Sequence, residues 1–373
     1  MNRLSTLLVL TFTLLLAVKT KADTAIPQDQ LDMSAEQAQI QTASPMVKVG
    51  KSPRAVAVNP VTNKIYVANY GSQSVTVIDG ATNMTTSIAV GKGPYAVAVN
   101  PVTNKIYVAN HQSDSVTVID GATNATTMVG AGTLPSALAV NPVTNKIYVA
   151  NHQSHNVTVI DGATNAAATV RAGNNPFAVA VNSVTNRIYV ANMGGKSVTV
   201  IDGASNATST IATGSSPVAL AVNPASNMIY VANHDSDNVT VIDGTTKNTT
   251  TIAAGHAPYA VAVNPVTNTI YVPNYLSRSV TVIDGATNTP RMLGAGYAPC
   301  AVAVNPVTNK TYVANYYSKD VTVIDEATNA STMIAAGNIP SAVALNVGTN
   351  KIYVVNEYGS NVTVIDGGAG AKP

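Results

Sequence analysis

From residue 53 onward, apolar and polar positions alternate in short bursts separated by turn-forming residues. In the first unit Ala55 to Asn59 alternates Ala and Val, Lys64 to Asn69 reads Lys-Ile-Tyr-Val-Ala-Asn, Ser74 to Asp79 reads Ser-Val-Thr-Val-Ile-Asp, and Thr85 to Val90 is a weaker fourth run. Each burst is rich in β-branched side chains and too short for a helix, so the pattern predicts four strands. Asn59-Pro60-Val61-Thr62-Asn63 joins the first two, and Asp79-Gly80-Ala81-Thr82-Asn83 joins the last two. Both carry the Pro, Gly, Asn or Asp that tight turns require. Strands joined this way form an antiparallel meander.

The same unit recurs along the chain. Pro stands at 53, 94, 135, 176, 217, 258, 299 and 340, a constant step of 41, and Tyr at 66, 107, 148, 189, 230, 271, 312 and 353. A period near 40 suits one four-stranded blade of a β-propeller. The Ala-rich first strand suits the crowded axis of a ring, and strands covered on both faces by neighbouring blades explain the nearly continuous apolar runs. The eighth unit ends at Val362-Thr363-Val364-Ile365-Asp366 without a fourth strand, whereas Met46-Val47-Lys48-Val49-Gly50 matches a fourth-strand ending and precedes the first unit. The expected fold is therefore all-β, an eight-bladed propeller whose N-terminal strand completes the last blade and removes the open edges. Seven blades with a spare unit is the alternative.

Tyr66-Val67-Ala68-Asn69, with Asn59-Pro60-Val61-Thr62-Asn63 before it and Ser74-Val75-Thr76-Val77-Ile78-Asp79 after it, resembles the YVTN-repeat β-propeller family, and the resemblance covers all eight units in fixed register. It implies an extracytoplasmic or cell-surface propeller, like the surface-layer proteins of bacteria and archaea, without a defined enzymatic activity. The wider superfamily it resembles includes lactonase-like propellers and the eight-bladed d1-haem domain of cytochrome cd1 nitrite reductase. That leaves a second implication open, an enzyme or cofactor carrier working at the channel mouth. Many members have seven blades, so eight is a departure. Pro273 for the motif's Ala, Glu326 for Gly and Ser183 for Pro are local departures that bear on the regularity of their blades.

Ahead of the repeats, Arg3, an uncharged apolar stretch from Leu4 to Val18, and the exit Lys19-Thr20-Lys21-Ala22 read as a secretory signal too short to span a bilayer. The expected organisation is a signal peptide over 1–22, a Gln-rich flexible linker over 23–45, the propeller over 46–367 and a flexible tail over 368–373. An extracytoplasmic location follows, periplasmic, secreted or at the cell surface, with no membrane span after cleavage. The formal charge of +2 owes three positive charges to Arg3, Lys19 and Lys21, so the mature chain stands at −1.

Composition narrows the function further. With 46% hydrophobic and only 10% charged residues, the chain is neither disordered nor equipped to neutralise nucleic-acid phosphates. The lone Cys300 excludes an internal disulfide framework and a cysteine-built zinc site. No Gly-x-Ser-x-Gly, His-Glu-x-x-His or phosphate-binding glycine motif occurs, so no enzymatic activity and no cofactor or metal are expected.

The units differ mainly on one face. Alternating strand direction brings the Gly-x-x-Pro connection and the second-to-third connection to that face, and the residues there vary while the scaffold barely does. After the Tyr-Val-Ala-Asn segment stand Tyr70, His111, His152, Met193, His234, Tyr275, Tyr316 and Glu357. After the repeated Pro stand Arg54, Tyr95, Ser136, Phe177, Val218, Tyr259, Cys300 and Ser341, expected to ring the channel mouth. An aromatic sector over blades six to eight, Tyr275, Tyr297, Tyr316, Tyr317 and Tyr358 with Tyr259 toward the mouth, suits contact with a protein or glycan of the cell envelope. Tyr70, His111, His152 and His234 complete the candidate binding set, and His256 is the better placed of the histidines for a haem. The Asp79 series is expected to cap its own turns, and the Asn69 series to satisfy strand-end backbone groups.

Overall fold

The computed structural model describes residues 44–368; the expected signal peptide, nearly all of the expected linker and most of the expected tail lie outside the described residues. Within that span the chain forms eight four-stranded antiparallel sheets. Blade one comprises Pro53–Asn59, Lys64–Asn69, Ser74–Asp79 and Thr85–Ala89, and the next six repeat its order. In the eighth, Pro340–Asn346, Lys351–Asn356 and Asn361–Asp366 are joined by Met46–Lys48, in the register Met46 to Thr363, Val47 to Val362 and Lys48 to Asn361. Val49 N donating to Ser360 O and Val364 N donating to Pro45 O extend that pairing. The first strands of successive blades lie against one another all the way round, that of blade one against that of blade eight included. The eight-bladed closed ring is therefore the observed fold. Among the described residues no helix is long and apolar enough to cross a membrane.

The core is divided among the blade interfaces. Between blades one and two, Tyr66, Val75, Val77 and Ile88 meet Ile106, Val108 and Ile119. At the seam, Val47, Val49, Tyr353, Val355, Val362 and Val364 meet Ile65, Val67 and Ile78. Each fully buried aliphatic side chain contributes about 1.5–3 kcal/mol, so these interfaces carry most of the folding energy. The eight repeated tyrosines are their largest members and are wholly buried.

Polar side chains fix the register between blades. Asn59 Nδ2 donates to Asn104 Oδ1 of the next blade at 2.8 Å, and the same bond recurs around the ring to Asn346 donating to Asn63 at 2.7 Å. Each acceptor ends its turn in the left-handed region, φ 53° at Asn63 and 51° at Asn104, which Asn tolerates better than most residues. The Asp79 series caps its turns as expected: Asp79 Oδ1 accepts Ala81 N at 3.0 Å and Thr82 N at 2.9 Å. Those bonds, Thr82's above all, hold the Asp79 pKa below the usual carboxylate value.

The Asn69 series does something other than expected. Asn69 Nδ2 donates to the hydroxyls of Ser74 (3.2 Å) and Thr76 (2.9 Å) in the neighbouring strand, not to strand-end backbone. Direct backbone bonds occur at Asn192, accepting Gly173 N, and Asn356, accepting Gly337 N. The buried amide also explains the Gly of Gly-x-x-Pro, since a Cβ on Gly50 would stand 2.7 Å from Asn69 Cγ.

Two of the three departures leave marks. Pro273 has no N–H to give, and the first strand of blade six is regular only over Ala262–Asn264, with an isolated Pro258–Asn274 bridge before it. Glu326 takes a bond from Asn264 Nδ2 at 2.7 Å and one from the Thr267 hydroxyl, and the Asn264–Asn309 rung stretches to 3.3 Å. Ser183 leaves its turn intact, with Val184 N still donating to Asn182 Oδ1 at 3.1 Å.

Candidate functional site

Three backbone devices present the variable residues. In seven blades the first ladder slips by one residue after the repeated Pro, at Pro53/Ala55 and its equivalents, so Arg54 and its counterparts are the extra residue of a bulge. In blade six Tyr259 holds the same place in the interrupted strand, its N donating to Pro273 O at 2.9 Å. The second device is a bond between the two variable connections of each blade: Tyr70 N to Ser52 O, Tyr275 N to Ala257 O, Tyr316 N to Ala298 O and Glu357 N to Ile339 O, all 2.8–3.0 Å. The third is a left-handed residue in each connection, such as Ser52 and Gln73. A fixed frame thus carries a varied set of side chains.

These side chains converge unevenly. A cavity of about 370 Å³ at one side of the channel mouth is lined by Arg54, Tyr95, His234, Tyr259, Tyr275, Cys300, Tyr316, Ser341 and Glu357. Arg54 Nη2 lies 3.0 Å from Glu357 Oε1, and the Glu357 side chain is only 9% exposed. The same guanidinium sits 4.9 Å from the Tyr70 ring centre and 5.4 Å from that of Tyr95. Other aromatic residues form a chain: His234 edge-on to Tyr259 at 6.2 Å, Tyr259 to Tyr275 at 5.5 Å, Tyr275 to Tyr316 and Tyr317 at 6.3 and 6.4 Å, and Tyr317 to Tyr297 at 5.5 Å. Arg278 caps its far end, 4.5 Å over Tyr297.

Of the residues singled out from the sequence, Tyr259, Tyr275, Tyr316, Tyr317 and Tyr297 are contiguous, with His234 at their inner end. Tyr70 belongs to the Arg54 side. Tyr358 is 66% exposed and forms no ring pair with them. His111 stacks on Tyr95 at 5.0 Å with Nδ1 3.1 Å from Pro135 O, and His152 meets Phe177 edge-on at 6.0 Å; neither lines the cavity. Ser136, Phe177 and Val218 also stand outside it, so the residues after the repeated Pro line the mouth on five blades and not on all eight. Ser136 turns its hydroxyl back onto the carbonyls of Ala150, Pro176 and Phe177.

Arg54, Tyr95 and Glu357 were not among the candidate binding residues. The variable series contained all three, but the Arg54–Glu357 pair forms only because the last blade meets the first. A charged residue inside each of two otherwise uncharged loop positions was the available signal.

Three phenols and the thiol at the mouth keep their protons. Burial raises Tyr259, Tyr275 and Tyr316 above the usual phenol value, leaving them hydrogen-bond donors at neutral pH. Burial pushes the Cys300 thiol up to about 12, and its Sγ faces Pro340 O at 3.4 Å and Ala314 O at 3.5 Å, the opposite of what a nucleophilic thiolate needs. Among the described residues no three His, Cys, Asp or Glu gather as a metal site. Of the five histidines His234 alone lines the cavity, and its Nδ1 is 2.7 Å from Asp235 Oδ1. His256 is 75% exposed and paired with Asp237 at 2.8 Å, and it is not among the residues lining the cavity.

Comparison with solved structures finds the same fold. Hydrazine synthase of Kuenenia stuttgartiensis superposes with a TM-score of 0.62 at 21% identity, over 89% of this chain and 98% of that one. Sqt1 of Saccharomyces cerevisiae gives 0.75 at 8% identity, over 88% and 99%. Both likenesses are of architecture, and the two proteins differ in what they are named for. No family model and no curated protein matches the sequence.

Proposed function

We propose that this protein is a non-catalytic binding module that holds its ligand at the channel mouth of the variable face. The observation that carries this reading is the convergence, on an otherwise repetitive frame, of one aromatic wall and one half-buried ion pair around a cavity. A cavity of this size, lined by aromatic side chains with a few polar groups, suits a small ligand or the end of a larger one. The protonated Cys300 and the mutually engaged Arg54 and Glu357 favour holding over turnover. The eight in-register motifs support membership of the YVTN-repeat family, and the apolar leader supports export, so the partner is a component of the cell envelope.

The test is retention of envelope material. The immobilised chain is incubated with an envelope fraction and compared with a Tyr275→Ala/Tyr316→Ala/Tyr317→Ala variant whose circular dichroism is unchanged. A component held by the parent and lost from the variant supports the module. Equal retention by both removes the mouth from the reading.

A further inference from the structure

We propose that the mouth recognises a neutral saccharide, taking one or two sugar units against the Tyr259–Tyr275–Tyr316 wall with their hydroxyls on the Arg54–Glu357 pair. This rests on the binding-module reading and goes beyond it by fixing the chemical class of ligand.

The argument starts from charge. Arg54 and Glu357 are 3.0 Å apart and neutralise each other, and the remaining lining contains no other Asp, Glu, Lys or Arg. An anion would have to compete with Glu357 for the guanidinium, and a cation with Arg54 for the carboxylate. An aromatic cage for a quaternary ammonium is disfavoured for a second reason. The protein's own guanidinium already lies 5.4 Å from the Tyr95 ring centre, so one ring face of the lining is engaged by a cation.

What the cavity does offer is a set of neutral complementarities. Tyrosine presents an apolar face and a polar tip, matching a sugar ring whose C–H groups form an apolar patch edged with hydroxyls. A planar guanidinium and a carboxylate each form paired hydrogen bonds, the geometry that two adjacent hydroxyls satisfy. The volume of about 370 Å³ sits at the small end of ligand cavities, roughly 300–1,000 Å³, which limits occupancy to a short stretch of glycan.

The experiment uses the full chain on an array of neutral, acidic and amino oligosaccharides, followed by calorimetry with soluble members, with choline and inorganic phosphate as charged competitors. The expected result is binding of at least one neutral saccharide, unaffected by either competitor and weakened about tenfold or more by Tyr259→Ala, Tyr259 being 41% exposed in the parent. Tyr259→Phe, which keeps the stacking face, should lose less than Tyr259→Ala. Three results overturn the proposal: no neutral saccharide binds, only charged sugars or choline bind, or saccharide binding is indifferent to Tyr259. If no saccharide binds while the parent still retains envelope material that the triple Tyr variant loses, the ligand class falls and the module stands; if both fail, both fall.

Discussion

Arg54 and Glu357 face each other at 3.0 Å across the seam where the first blade meets the last. The pair therefore joins two properties, because it supplies the polar groups of the mouth and fastens the ring at its closure. Breaking a fully buried pair typically costs about 3–5 kcal/mol, but Arg54 is 37% exposed and solvent screens part of the interaction. Glu357→Gln should lower stability by about 1–2 kcal/mol in denaturant unfolding, and Arg54→Met combined with Glu357→Leu should recover most of it. Additive losses in the double variant would show that the two side chains act independently.

The Asn belt gives a second test of closure. Asn346→Ala breaks the rung at the seam and Asn141→Ala breaks one in mid-chain. Each leaves an unpaired amide oxygen opposite, at a cost of about 1–2 kcal/mol. Equal losses are expected. A costly Asn141→Ala beside a silent Asn346→Ala would mean the seam is open in solution.

Alkaline pH should unfold the protein steeply. Burial raises all eight repeated tyrosines, Tyr107, Tyr148, Tyr271 and Tyr312 to about 12, with the carboxylate of the next blade's turn adding to the effect at most of them. A folded-state value above the unfolded 10 means the unfolded chain loses these protons first. Stability is then full below about pH 10 and falls progressively toward pH 12. Thermal unfolding followed by circular dichroism across that window checks it, and Tyr148→Phe should make the fall shallower.

Pro273→Ala returns an N–H to the second strand of blade six, beside the interrupted first strand. The regained backbone bond contributes about 0.5–1.5 kcal/mol, while the freer unfolded chain takes back about 0.4–1 kcal/mol. Global stability should barely move. Local protection should, with hydrogen exchange slowing at Ala260 and Val261, and unchanged exchange there would mean Pro273 is not what interrupts the strand.

The ring was legible because its information is repeated. Eight copies of one unit, spaced without insertion, leave one consistent blade, and the unpaired Met46–Lys48 strand has only one incomplete blade to join. Turn capping by the Asp79 series was legible too, since an Asp bonding two residues ahead is a local event. The Asn belt was not, because Asn59 and Asn104 belong to different blades and the bond depends on how blades are packed side by side. The cavity was legible only in part. Tyrosines adjacent in the loops could be grouped by blade, but which of eight equivalent positions face one another across the mouth depends on ring geometry and on a bulge that no residue type announces. Arg54 and Glu357 lie near opposite ends of the repeat array, and only the closed circle makes them neighbours.

The strand around Val47 is made before any other in the ring, yet its partner Val362 lies in the last strand to be made. A nascent chain can stack blades one after another from the start, since their contacts are between successive repeats, but the opening strand must wait through the whole of synthesis for its place. Until then the exposed apolar edge of Val47 and Val49 is a liability that a growing polypeptide carries alone. The final docking is a long-range step, so it sets when the molecule first possesses a mouth at all.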